Sequence, residues 1–436
     1  MQKTNRSRLL SLVLTLAIVM SLFAGLTITA SAASSWDGTI PSVSANYAFG
    51  GGNGTANNPY QIKTAAHLIQ LSVNVKNGMY QYANNTRYYF VLTDDIYLSP
   101  TSAIAANVNV STVGVNGYSG GTVYEWLPIG GGNTNYSFQG VFDGGNHTIY
   151  NIFYNQSYGS VASGNSVRNN VGLFGKLERG ATLKNLKMSG GYFGAQRSVG
   201  ALVGKSWGNI DNCHNLGTYV YGSESKGVGG LVGANWVDNV TDPPAISNSS
   251  NAGTVVSSYS SGNTGGSAGG IAGENEGSIY NCWNTGTVSS PYNAGGLVGS
   301  NKNDYNKQTQ SGGTVYGGIN NCYNAGSVTG KYAGGIAAYH LGSMRNCYNI
   351  GSISGSTYSG QIFGEFNSQL TNSYLYVPSG TNAAGNTTVA ATTFTSLQKG
   401  NLKTWLQDWV TANPNVGYAN WTQVSTQNNN YPILVI

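Results

Sequence analysis

The apolar residues of this chain recur in one short phrase, in which glycines flank a pair of hydrophobic side chains. Its seven copies occupy residues 171–175, 200–204, 229–233, 269–273, 295–299, 334–338 and 360–364. The central apolar residues are Leu173, Leu202, Leu231, Ile271, Leu297, Ile336 and Ile362, with spacings of 29, 29, 40, 26, 39 and 26 residues. A repeat of this length is typical of one coil of a solenoid.

A second phrase follows the first in five units, at residues 210–215, 246–251, 279–284, 319–324 and 344–349. Its alternating apolar residues predict short strands, and its Gly and Asn residues predict turns with positive φ. One such unit cannot bury its own apolar face, but stacked units can. We therefore expect ladders, which are rows of side chains from one position of successive coils. The Leu/Ile, Val and Cys positions should form inward ladders, and the constant Asn a hydrogen-bonded ladder at a turn.

The chain is accordingly predicted to be all-β, with a right-handed parallel β-helix over residues 126–376. Residues 33–125 are predicted to form an N-terminal cap, with a short helix at 65–71 that protects the open end of the stack. Residues 377–436 are predicted to form a small C-terminal cap that closes the other end.

The two phrases resemble the repeats of the GLUG-motif family, which are named for a glycine–leucine–hydrophobic–glycine pattern and occur in bacterial surface and secreted proteins. The resemblance covers residues 171–374, over half of the chain that remains after signal cleavage. The family is defined by its architecture and not by a reaction. The resemblance therefore implies a β-helical stalk or scaffold.

Residues 1–32 have the character of a secretory signal peptide: Lys3, Arg6 and Arg8 precede a long apolar stretch that ends in Ala30-Ser31-Ala32. The stretch is also long enough for an uncleaved membrane anchor. Cleavage would leave 17 Lys/Arg against 15 Asp/Glu, without the clustered cations that nucleic-acid binding requires. We expect a secreted, extracellular protein with no membrane contact after cleavage and no nucleic-acid partner, and non-covalent retention at a cell surface stays open.

The four cysteines, Cys213, Cys282, Cys322 and Cys347, share one position of the second phrase, which Ser249 and Ser373 fill in other units. Side chains stacked in register lie about 4.8 Å apart, beyond the usual Cβ separation in a disulfide. We expect buried reduced thiols, although four cysteines in a secreted protein are also compatible with disulfides. No histidine or second cysteine stands at metal-ligand spacing, so neither a metal nor another cofactor is predicted.

Two insertions indicate where a binding surface lies. Nine residues usually separate the end of the first phrase from the Cys position, but 16 follow Gly233 and 23 follow Gly299. Stacking puts both loops on one edge of the solenoid, a frequent location for the binding face of a repeat protein. The candidate ligand-binding residues at this edge are Trp207, Trp236, Tyr305 and Tyr339. Their rings, with nearby amides and carboxylates, suit sugars, but the tryptophans could equally fold back over the coil.

Three functions remain open. The first is non-enzymatic adhesion to a polysaccharide or cell-surface glycan through the aromatic edge. The second is a polysaccharide lyase or glycoside hydrolase that uses Asp238 and Glu276, which lie in adjacent units, although in a chain with 15 acidic residues chance proximity is common. The arginines, the usual partners of uronate carboxylates, are scattered along the sequence, and a zinc-protease HExxH motif is absent. The third is a structural spacer. The oligomeric state stays open.

Overall fold

The structure is a computed structural model. It describes residues 36–44, 46–99, 124–131, 136–156, 168–224, 227–237, 243–260, 266–302, 318–366, 375–378, 384–385, 392–394, 399–414 and 417–436. The predicted signal peptide, residues 1–32, lies outside these ranges. Within them, no helix has the length and apolar character needed to cross a membrane.

The N-terminal part adds strands to the same sheet as the coils. It contains β1 (Tyr60–Ile62), helix α1 (Ala65–Lys76), β2 (Tyr89–Leu92), β3 (Ile96–Tyr97), β4 (Val141–Asp143) and β5 (Thr148–Asn155). Strand β1 pairs in parallel with β2, and β2 with β4. The predicted helix is present and buries Leu68 and Ile69 completely, and the Thr64 hydroxyl caps it by accepting a 3.3 Å hydrogen bond from the His67 N–H.

The central part repeats short strands around each coil. Its first half contains β6 (Asn169–Val171), β7 (Phe174–Leu177), β8 (Thr182–Ala195), β9 (Arg197–Gly200), β10 (Val203–Ser206), β11 (Asn209–Asn215), β12 (Tyr219–Gly222), β13 (Val228–Gly229), β14 (Val232–Asn235), β15 (Ala245–Ser247), β16 (Ser250–Asn251), β17 (Val255–Ser257), β18 (Ser267–Gly269) and β19 (Ala272–Asn275). Its second half contains β20 (Ser278–Tyr280), β21 (Trp283–Asn284), β22 (Val288–Ser289), β23 (Asn293–Gly295), β24 (Val298–Asn301), β25 (Gly318–Asn320), β26 (Tyr323–Asn324), β27 (Val328–Gly334), β28 (Ala337–His340), β29 (Ser343–Arg345), β30 (Cys347–Asn349), β31 (Ile353–Gly360) and β32 (Phe363–Phe366).

All strand pairings between these coils are parallel, so the predicted parallel β-helix is confirmed. One sheet of seven strands has the order β32-β28-β24-β19-β14-β10-β7, in which each strand comes from a successive coil. The Leu/Ile ladder runs through the first phrases: the Leu202 N–H bonds to the Leu231 carbonyl over 3.0 Å, and all seven central residues are fully buried. The right-handed sense stays a prediction that rests on the chirality of parallel crossovers.

Asparagine forms a ladder at a turn of every later coil, as predicted. Asn212, Asn248, Asn281, Asn321 and Asn346 have left-handed backbone with φ of 50–55°, which Asn tolerates better than most residues. We call these five residues the turn asparagine ladder. The Nδ2 of Asn321 donates to the Oδ1 of Asn281 over 2.8 Å, and that of Asn346 donates to Asn321 over 2.7 Å. The coils are thus joined by side-chain as well as backbone hydrogen bonds.

The four cysteines lie in the interior ladder that the sequence predicts. All are buried and unbridged in the structure. Ser249 occupies the same ladder, and its Oγ accepts a 3.0 Å hydrogen bond from the Cys213 N–H. One assignment was wrong: the strand residue that pairs with Cys347 is Leu375, whereas Ser373 lies outside the described residues.

Strands β33 (Leu375–Pro378) and β34 (Thr392–Phe394) extend the parallel sheet beyond β30. The C-terminal residues after them contact the side of the stack. They contain helix α2 (Lys399–Thr411), β35 (Asn420–Thr422), a short 3-10 helix (Asn428–Asn430) and β36 (Ile433–Val435), which pairs antiparallel with β35. The side chains of Leu406 and Trp421 are buried against Tyr323 and Tyr348, whose rings stack 5.3 Å apart on successive coils. The described contacts of these residues lie on the outer flank of several coils, and closure of the end of the stack stays a prediction.

Candidate functional site

The candidate edge lies where the seven-stranded sheet turns. The Trp207 N–H bonds to the Leu177 carbonyl, the Trp236 N–H to Ser206 and the Glu276 N–H to Asn235, over 2.8–3.0 Å. These three residues therefore occupy the same turn in three successive coils. The Lys302 N–H continues the row by bonding to Asn275. The two insertions fall between β14 and β15 and between β24 and β25, and residues 238–242 and 303–317 lie outside the described residues.

Trp207 and Trp236 form a fixed aromatic pair around a lysine. Their ring centroids are 6.5 Å apart and the planes are perpendicular. The Lys205 Nζ lies 3.4 Å from the Trp236 ring centroid and 4.4 Å from that of Trp207. Such cation–π contacts stabilise the arrangement by roughly 0.5–2 kcal/mol each. Both indoles are half-buried, so they pack on the edge and still present part of their surface to solvent.

Tyr339 is not brought to this pair. Tyr339 lies in the same sheet, but its strand β28 is separated from β14 by β19 and β24. At the usual inter-strand spacing its backbone is roughly 14 Å from Ala234 along the stack. Tyr305 lies outside the described residues.

The structure describes one of the two acidic candidates, Glu276. Asp238 lies outside the described residues. The half-buried Glu276 accepts a 3.3 Å hydrogen bond from the Val237 N–H through Oε2. Its neighbour Glu274 is buried and forms a 3.1 Å ion pair with Lys302. Glu274 was not among the predicted site residues, although its place two residues before Glu276 on a strand gave the signal for it.

Amide side chains support this edge from beneath. Asn235, Asn275, Asn301 and His340 form a further ladder, here called the edge ladder, in which Asn235 Nδ2 donates to Asn275 Oδ1 over 2.8 Å. The Asn301 Nδ2 lies 3.2 Å from His340 Nδ1. Burial lowers the pKa of His340 to about 3, so the imidazole is neutral near pH 7 and extends an uncharged network.

A depression beside the tryptophan pair was missed by sequence reasoning. It is lined by Asn169, Asn170, Arg197, Ser198, Lys205 and Trp236 and holds about 420 Å³, including its open side. Arg197 Nε donates to Glu224 over 2.6 Å, which fixes the guanidinium. Arg197, one of the arginines scattered along the sequence, was not among the predicted site residues, but the fold brings it to the same depression as Lys205 and Trp236.

A second aromatic cluster was also missed. Tyr292, Tyr332 and Tyr358 lie on successive coils. The ring centroids of Tyr292 and Tyr332 are 5.0 Å apart in an edge-to-face contact, and those of Tyr332 and Tyr358 are 5.4 Å apart in a tilted one. The Lys331 Nζ lies 5.1 Å from the centroids of both Tyr292 and Tyr332. The signal was a tyrosine shortly before the first glycine of the phrase in these three units. In the part of the chain that the structure describes, no group of three His, Cys, Asp or Glu side chains is placed to hold a metal ion.

Comparisons with known proteins find short stretches of similarity. No protein-family model matches the chain. A protein provisionally described as a Gly-rich membrane protein, from Evansella cellulosilytica, is 35% identical over 171 residues, which is 38% of this chain and 15% of that protein. Halomucin from Haloquadratum walsbyi is 30% identical over 182 residues, 42% of this chain and 2% of its own length. The chain thus matches a small part of both relatives.

One solved structure aligns over most of the chain. It is a crystal structure of a protein provisionally described as an immunoglobulin A1 protease, from Bacteroides ovatus. The alignment covers 91% of this chain and 97% of that one, with 21% sequence identity and a TM-score of 0.45.

Proposed function

We propose that this chain is a secreted or surface-associated β-helix protein of the GLUG type, which binds a glycan through its tryptophan edge without chemical conversion. The observation that carries the proposal is the Trp207–Trp236 pair, held in place by Lys205 at one turn of adjacent coils. Because the rings are already fixed, binding costs little ordering of side chains. The name of the Evansella relative, a membrane protein, supports a location at the cell surface.

The chemistry of the edge favours sugars over other ligands. Indole rings offer flat apolar surface to the C–H faces of pyranose rings, and neighbouring amides offer paired donors and acceptors for hydroxyl groups. Both kinds of group meet beside Trp236, where Asn169 and Asn170 line the adjoining depression. The alternative of a polysaccharide-cleaving enzyme needs Asp238, which lies outside the described residues, and Glu276, whose Oε2 accepts a hydrogen bond from the Val237 N–H, so the described contacts add no support for it.

The proposal is tested by incubating residues 33–436 with insoluble and soluble polysaccharides. Retention and the release of new reducing or unsaturated ends are measured together. We expect retention without new ends, and its loss in Trp207→Ala and Trp236→Ala. Trp405→Ala is the matched control, because Trp405 is also half-buried and also stacks on an aromatic ring, Tyr376, 6.0 Å away.

Two results would contradict the proposal. Retention that is unchanged in both edge variants would place binding elsewhere, and absence of retention on every polysaccharide would leave a structural spacer. New ends that disappear in Glu276→Gln would instead establish a carbohydrate-cleaving enzyme.

A further inference from the structure

The depression beside the tryptophan pair is lined from both sides of a sharp bend in the chain at the repeated glycine phrase, residues 200–204, here called the glycine bend. Asn169, in strand β6, pairs with Arg197, in β9, on one side of the bend. Lys205, in β10, lies on the other side, where it pairs with Lys176 of the preceding coil and Ala234 of the next. Two cationic side chains thus converge on one small space from different strands.

The charged side chains that line this space are cationic. Its six lining residues include Arg197 and Lys205 but no carboxylate. The ion pair of Arg197 with Glu224 engages Nε, which is one of five guanidinium donors. The contacts of Lys205 with the indole rings hold its ammonium group at the edge and do not remove its charge. Glu224 offsets part of the charge of Arg197, so the space suits an anionic group through the Lys205 ammonium and the other guanidinium N–H donors of Arg197.

The cationic side chains of the row of paired residues through Lys205 lie in its first coils. Lys176 and Lys205 occupy the row in successive coils, and the row continues through Ala234 to Glu274 and ends at Glu365. Because Glu274 forms an ion pair with Lys302, it adds little net charge to the later coils. The first coils are therefore where this row offers cationic groups to an anionic ligand.

We propose that this depression selects an acidic sugar unit, with the carboxylate of a uronic acid against Arg197 and Lys205 and its ring against Trp236. The planar guanidinium matches a carboxylate in two parallel hydrogen bonds, while Asn169, Asn170 and Ser198 face the sugar hydroxyls. This inference rests on the proposed glycan binding at the tryptophan edge and names its ligand class.

The test compares ligands with and without a uronate charge. Binding of residues 33–436 to polygalacturonate is measured by calorimetry against the same polymer with its carboxylates methyl-esterified, and alginate, a second polyuronate, is measured beside them. We expect binding of at least one polyuronate, weakened by added salt. Esterification should weaken binding of polygalacturonate if that is the bound polymer, and Arg197→Gln should weaken binding by about tenfold or more.

Two further variants sharpen the result. Glu224→Gln removes the negative charge beside Arg197 and should tighten binding. Lys331→Gln is the matched control for Lys205→Gln, since both lysines lie over two aromatic rings but Lys331 is not among the residues that line the depression. Lys205→Gln should weaken binding and Lys331→Gln should not.

The outcomes separate this inference from the proposed function. If no polyuronate binds, or if Arg197→Gln binds all ligands as the parent does, the acidic-sugar assignment is overturned. Retention of a neutral polysaccharide that still depends on Trp236 would in that case leave the proposed glycan binding intact. Loss of every form of retention would overturn both.

Discussion

The indole Nε1 of Trp421 donates a 2.7 Å hydrogen bond to the Oδ1 of Asn321, a residue of the turn asparagine ladder. On the preceding coil, Asn281 donates to the Gly417 carbonyl over 3.0 Å and accepts from the Ala419 N–H over 2.9 Å. An amide side chain thus pairs with the passing backbone as a neighbouring strand would. The residues that join the coils to one another also bind the C-terminal segment.

This relationship predicts that the ladder controls local release of residues 417–422. Asn321→Gly keeps the left-handed backbone but removes the bonds to Trp421 and to the Ala419 carbonyl. We expect the free energy of local opening to fall by about 2 kcal/mol, and amide exchange in the segment to accelerate by roughly thirtyfold.

The matched control is Asn212→Gly, which removes a ladder bond of similar geometry, to Asn185 over 2.9 Å. Its described hydrogen bonds do not involve the C-terminal segment. Hydrogen exchange measured by mass spectrometry should therefore show the acceleration in Asn321→Gly alone, and equal exchange in both variants would refute the assignment.

The first glycine of the repeated phrase is required by a close backbone approach. A Cβ on Gly295 would lie 1.9 Å from the Val298 carbonyl oxygen, and equivalent atoms approach at Gly229, Gly269 and Gly334. Gly295→Ala should lower the free energy of unfolding by about 3 kcal/mol or more, because backbone cannot yield as a side chain does. In Gly217→Ala, the new methyl meets its nearest atom at 4.0 Å, and stability should change by less than about 1 kcal/mol. Chemical denaturation followed by tryptophan fluorescence compares the two.

The contents of the ladders were predictable because the repeat itself encodes them. Equal spacing from the glycine phrase to Cys213 and Cys282 implies equal positions in the coil, and parallel stacking then determines which residues are neighbours. The same logic correctly gave the turn asparagines. It placed Trp207 and Trp236 at one turn because both follow the phrase by the same number of residues.

Contacts made by residues outside the repeated phrases could not be predicted from the sequence. Trp421 has no counterpart in the phrases, so nothing in the sequence indicated that it would bind Asn321 on the flank of the stack. Arg197 lies before the glycine bend and Trp236 after the next one, and their approach depends on how sharply the bend folds. Periodicity specifies neighbours along the stack and leaves the angle between adjacent faces undetermined.

The cysteine ladder predicts thiols that are present but unreactive. Burial raises the pKa of the Cys213, Cys282 and Cys322 thiols, so little thiolate forms even at pH 8.5. A thiol reagent should label none of the four in the folded protein and all four after unfolding without reductant. Fewer than four labelled residues after unfolding would indicate disulfides. Cys322→Ser should cost about 1 kcal/mol or less, since Ser249 already occupies this ladder and bonds to the Ser247 carbonyl.

His340 should make the protein sensitive to acid. In the folded chain its pKa is lowered to about 3 by burial, whereas in the unfolded chain it lies near 6.5. As the pH falls below about 6.5, the unfolded chain binds a proton that the native chain does not, so native stability decreases by up to about 1.4 kcal/mol per pH unit from this group. Above that range its contribution is constant.

His340→Asn isolates this effect because Asn fills the edge ladder in the three preceding coils, at Asn235, Asn275 and Asn301. Between pH 7.5 and 4.5 the parent should lose roughly 2–3 kcal/mol more unfolding free energy than the variant. Burial also lowers the pKa of His214, to about 4, so His214→Ser should remove acid sensitivity of the same sign, with Ser250 as the natural precedent on the next coil. Denaturant titrations across this pH range give the comparison. Parallel pH profiles for the parent and His340→Asn would show that the buried imidazole is already protonated in the native state or that its site admits water.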